Sequence, residues 1–110
     1  MCRTCGIAQP GAKPWDVFYV VTDLAMDRIK FGITSGDPRP RLRTHCADGY
    51  RKTVRLLTGL PGTVAPEIET AALAALRLAG VQPIRGREYY DASALALVLD
   101  VADNYPIRHP

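Results

Sequence analysis

The sequence predicts an α+β domain in which a small three-stranded antiparallel sheet is flanked by helices. Three observations carry that expectation. The runs DVFYVVTD (16–23) and RIKFGIT (28–34) are β-branched and aromatic, and only Leu24–Asp27 separates them, a hairpin spacing. A third run, KTVRLLTGL (52–60), alternates side chains like a strand. Apolar residues recur at helical spacing after position 65 and again after position 93.

Taken in order, residues 1–15 are rich in Gly, Pro and small polar side chains and read as an irregular N-terminal arm; residues 16–105 form a single domain. The first strand is continuously apolar, as expected where both faces are covered. The second places Ile29, Phe31 and Ile33 on one face and Arg28, Lys30 and Gly32 on the other. Asp37-Pro38 then starts a helix, with Asp positioned to accept a free amide and Pro pre-set for the first turn. That helix is expected to reach about Ala47, near Gly49, with Asp37, Arg41 and His45 on one face and Leu42 and Cys46 on another.

The third strand ends at Pro61-Gly62. A second helix starts near Ala65-Pro66 and stops at Gly80, a glycine suited to a helix end. REYYD (87–91) reads as short and extended, and SALALVLDVADNY (93–105) as a final helix.

At 110 residues, with 47% apolar and 23% charged residues, the chain can bury a core without disulfides. No apolar stretch approaches the roughly 20 residues that span a bilayer, and the N-terminus lacks a signal-peptide core. No membrane partner is therefore expected, and the expected location is the cytoplasm. Three cysteines fit a reducing compartment. Cys2 and Cys5 have the spacing of half a zinc knuckle, to which Cys46 with His45 or His109 would have to contribute. With no second CxxC pair, a reduced pair without zinc is the expectation.

The net charge of +3 is mild, but its distribution is uneven. Between Arg39 and Arg55 the cations are Arg39, Arg41, Arg43, Arg51, Lys52 and Arg55, against the single acid Asp48. Such a segment fits a nucleic-acid face, and a solvated helix followed by a charged strand edge would account for it equally. The second helix holds a misplaced acid. On a helical wheel Ile68, Leu73, Ala72, Ala75, Leu76, Leu78 and Ala79 form one wide apolar arc, with Glu69 inside it and Glu67 at its edge. A carboxylate there needs a cation, a metal or a shifted pKa. An ion pair with an arginine and a hard divalent cation both satisfy it.

In order and spacing these segments resemble the GIY-YIG nuclease superfamily, in particular its T5orf172-like branch, over roughly residues 16–92. VFYVV resembles the first motif, IKFGIT the second, RLRTH the arginine helix, PEIETAALAAL the glutamate helix, and RGREYY the segment after it. The resemblance implies a metal-dependent DNA endonuclease using Mg²⁺ (or Mn²⁺). It places Tyr19 as the first catalytic tyrosine, Lys30 where the second tyrosine stands in most members, and Arg41 at the phosphate. It places His45 one helical turn on, as a proton relay or DNA contact, and Glu69 as the metal ligand. Arg39, Arg43, Arg51, Lys52 and Arg55 would add backbone affinity for DNA. Asn104 does not match the context of the family's late asparagine. A module this small would gain specificity from a homodimer or a partner protein. Two other readings stay open at this point: a nucleic-acid-binding module without catalysis, and a protein-interaction domain in which Glu69 pairs with an arginine.

Overall fold

The computed structural model describes residues 15–84 and 89–106. The elements are β1 (Val17–Asp23), β2 (Arg28–Thr34), α1 (Arg39–Ala47), β3 (Lys52–Leu57), α2 (Val64–Leu78), β4 (Tyr90–Asp91) and, after a 3₁₀ turn at Ala92–Ala94, α3 (Leu95–Asn104). The sheet is antiparallel with strand order β3-β1-β2-β4. It therefore has four strands rather than the expected three. The fourth is two residues long and pairs Ile29 with Tyr90 and Arg28 with Asp91. Among the described residues no helix is long and apolar enough to cross a membrane. Cys2, Cys5 and His109, and with them the zinc expectation, lie outside the described residues.

Every residue of β1 is buried, as its continuous apolar run demands of a central strand. Phe18 and Val20 face α2 and α3, where they join Ile29, Phe31, Ile68, Leu76 and Val98 in the main core. Each such side chain contributes about 1.5–3 kcal/mol relative to exposure. The alternate residues Tyr19 and Val21 form a second, smaller cluster with Tyr50, against which Leu42 of α1 packs. Asp23 is buried at the hairpin end, where it accepts from Arg28 Nε at 3.0 Å and from the Met26 amide at 3.2 Å.

The α1 start is close to expectation: the Asp37 carboxylate accepts the Arg39 amide at 3.0 Å, and Leu42 N–H bonds to Pro38 at 3.0 Å. α2 ends before Gly80, whose φ of 76° is left-handed. The wide arc expected on α2 is corrected. Ala65, Ile68, Ala72 and Leu76 are buried, whereas Leu78 is 90% exposed. A helix lying on a sheet buries a narrow stripe, and Leu78 falls outside it. β3 also stops earlier than expected, at Leu57. Leu57, opposite Phe18, packs on the main core, while Leu56, opposite Tyr19, stays 39% exposed; a register shift opposite Val20 and Val21 interrupts the alternation nearer the start of the strand.

Candidate active site

β4 covers only the first two residues of β2, so among the described residues the edge from Lys30 to Thr34 has no further strand beside it. A cavity of about 620 Å³ opens along this edge. Because an edge belongs to both faces of a sheet, residues from α1 on one face and α2 on the other meet there. Its lining includes Tyr19, Lys30, Arg41, His45 and Glu69. These are the five residues that the family resemblance assigns to catalysis, drawn from β1, β2, α1 and α2.

Tyr19 stands directly opposite Gly32 in the β1–β2 ladder. A Cβ on residue 32 would lie 2.8 Å from Tyr19 Oη and 3.1 Å from Cζ. Gly32 thus leaves room for the phenol to lie across β2. We predict that Gly32→Ala displaces the ring at a cost of about 1–3 kcal/mol. The change is measurable as a lower urea midpoint with a shifted His45 ring resonance, and an unchanged ring resonance would contradict it.

The phenol meets His45 of α1, with Tyr19 Oη 2.8 Å from His45 Nε2 and ring centroids 5.2 Å apart. His45 is the one buried residue of α1, only 4% exposed. Its expected place beside Arg41 holds, but the face they share turns toward the sheet at His45 and toward solvent at Arg41. Tyr50 supports the imidazole edge-on, at 6.3 Å between centroids and 80° between planes, and donates its amide to His45 O at 2.9 Å. Arg28 in turn lies over Tyr50 at 4.8 Å and Tyr89 at 4.9 Å. Sequence reasoning gave no role to Arg28, Tyr50 or Tyr89, because their stacking joins three separate segments.

Burial holds the His45 pKa below the ordinary value of 6.5, and the charges of Lys30 and Arg41 push the same way, against Asp48. His45 is thus neutral at pH 7. The unfolded chain takes up a proton near pH 6.5 that the native state refuses. Stability therefore falls as pH drops through 6.5 toward the lower folded value, and this contribution is flat above it. His45→Gln is expected to reduce the loss of stability between pH 7.5 and pH 5, read from urea midpoints; an unchanged pH slope would contradict the assignment.

Glu69 is half-buried and reaches the cavity from α2, with Leu73 one turn further on. The remaining basic residues divide. Arg39, Arg43 and Arg51 line a groove of about 280 Å³ with Leu42, Tyr50 and Thr53. Arg39 also pairs with Asp37 at 2.8 Å and holds that carboxyl down to about 2, chiefly through their side-chain hydrogen bond. Arg51 and Lys52 line a further cavity at the hairpin end. Arg55 stands apart, paired with Asp103 of α3 at 2.8 Å. Asn104 bonds to Asp100 and is absent from the cavity lining.

Trp15 also lines the main cavity. In sequence it falls in the irregular arm, where no pattern marks it, and only the folded chain brings it to the site. Comparison with protein-family models, with curated proteins and with solved structures returns no match to this chain.

Proposed function

We propose that this protein is a metal-dependent endonuclease that hydrolyses DNA phosphodiester bonds with a GIY-YIG-type site. The observation that supports the reading is the convergence of Tyr19, Lys30, Arg41, His45 and Glu69 on one cavity from four elements. A solvated basic helix would not require a buried Tyr19–His45 hydrogen bond or a carboxylate at the same cavity.

The chemistry follows from those groups. Arg41 offers planar N–H donors to the phosphate oxygens, and Lys30 adds a second positive charge in the same cavity. With His45 neutral, Nε2 can take the Tyr19 proton across 2.8 Å. Tyr19 then accepts a proton from the attacking water as its oxygen bonds to phosphorus, so the water proton is in effect passed to His45. The bond from phosphorus to the leaving sugar oxygen breaks in the same displacement.

Among the described residues no cluster of three or more His, Cys, Asp or Glu side chains is arranged to hold a metal ion. A site with one carboxylate ligand suits a cation that takes its remaining oxygens from water and substrate phosphate, and Glu69 would hold Mg²⁺ or Mn²⁺ in that way. Such an ion, when bound, supplies Lewis-acid stabilisation of charge on the phosphate and leaving oxygens.

Incubation with supercoiled plasmid in Mg²⁺, Mn²⁺ and EDTA tests the reading: nicking in metal and none in EDTA is the expected result. Lys30 at the usual tyrosine position favours a second reading, a binding module without catalysis. In that case the plasmid stays intact while DNA affinity still falls steeply with salt. Lys30→Tyr is then the change expected to confer nicking.

A further inference from the structure

The cavity has an apolar part that phosphodiester hydrolysis does not use. Trp15 is 51% exposed and Leu73 38% exposed, and both line the cavity that holds Lys30 and Arg41. Trp15 is not on a loose mount. The next residue, Asp16, accepts the Leu60 amide on its backbone oxygen and the Gly36 amide on its carboxylate, both at 2.9 Å. The backbone beside the indole is thus anchored, and the large ring is presented half to solvent beside cations suited to phosphate. About 620 Å³ is more than a phosphate group fills and lies within the range of sites that take whole small molecules. An exposed aromatic face beside a phosphate site suits a nucleobase, since every base offers a π-face to stack.

We infer that the cavity takes a complete nucleotide with its base out of the helical stack, the phosphate on Arg41 and Lys30 and the base against Trp15 and Leu73. The inference rests on the nuclease reading for its phosphate end. It deepens that reading by naming the substrate class: single-stranded or unpaired nucleotides, such as those that negative supercoiling opens in a plasmid, rather than relaxed continuous duplex, whose bases are already stacked on one another.

The test uses the full chain in EDTA, where no cleavage is expected. The probes are a short labelled oligothymidylate and a strand of equal length carrying abasic sites. Trp15 is the sole tryptophan, so its emission reports on this cavity directly. The expected result is quenching by oligothymidylate and little change with the abasic strand. Trp15→Ala is expected to weaken oligothymidylate binding by roughly 5- to 150-fold and to leave abasic binding unchanged, while Trp15→Phe restores most of the loss. Equal affinity for the two strands, or an equal loss on both in Trp15→Ala, overturns the inference. If the strands bind equally and Arg41→Ala weakens both, the phosphate end stands and only the base site falls. If neither strand binds while supercoiled plasmid is still nicked in Mg²⁺, the inference falls and the nuclease reading stands; if neither strand binds and the plasmid stays intact, both fall.

Discussion

Removing the Tyr19 hydroxyl is expected to slow DNA cleavage by about 10²–10⁴-fold, the usual contribution of a positioned acid–base group, without weakening DNA binding. Tyr19→Phe keeps the ring, which is only 3% exposed and packs in the small cluster with Val21 and Tyr50. Fold and affinity should therefore survive. The cost to stability is that of one buried hydrogen bond, about 0.5–1.5 kcal/mol, because His45 Nε2 loses its partner. The pH profile separates catalysis from packing. His45 must be neutral to accept the proton, and burial holds its pKa below 6.5. The wild-type rate should persist as pH falls through 6.5 and drop only below it. A Tyr19→Phe protein that cuts at the wild-type rate removes Tyr19 from the chemistry.

The second large effect concerns the fold. Phe18 is fully buried on the main core, with its ring centroid 6.1 Å from that of Phe31. Phe18→Ala is expected to cost about 3–5 kcal/mol, a large share of the roughly 5–15 kcal/mol that holds a typical domain together. Leu78→Ala, on a side chain that is 90% exposed, should change stability by no more than about 0.5 kcal/mol. Urea denaturation of the two variants checks the pair. A Leu78→Ala loss as large as that of Phe18→Ala would restore the wide apolar arc and contradict the narrow buried stripe on α2.

Those two residues also show what a sequence displays and what it hides. Phe18 lies in a run so apolar that central-strand burial is legible at once, and the boundaries of β1 and β2 follow from it nearly to the residue. Leu78 misleads because periodicity shows which residues share a helix face but not how wide a stripe the sheet covers. β4 was hidden for a related reason. REYYD looks extended, yet nothing local says that Tyr90 will pair with Ile29.

Arg41, His45 and Glu69 were legible as candidates through helical spacing and misplaced charge. Their meeting was not, since it depends on the short β4 leaving the β2 edge open. The burial of His45 was equally out of reach, because the partner that draws it inward is Tyr19, 26 positions away. Trp15 gave no sequence signal. Its position follows from Asp16, whose two hydrogen bonds reach Gly36 and Leu60.

In the proposed function, Glu69 and the Tyr19–His45 pair serve one hydrolytic site. The most direct test compares wild type with Glu69→Gln on supercoiled plasmid in Mg²⁺, with DNA binding of both checked by gel shift. Loss of several kcal/mol of charge stabilisation corresponds to a rate lower by at least about 10²-fold. That loss is the expected result for Glu69→Gln, with binding retained and no nicking by either protein in EDTA. Equal Mg²⁺-dependent nicking by the two proteins, or no nicking by wild type, would contradict it.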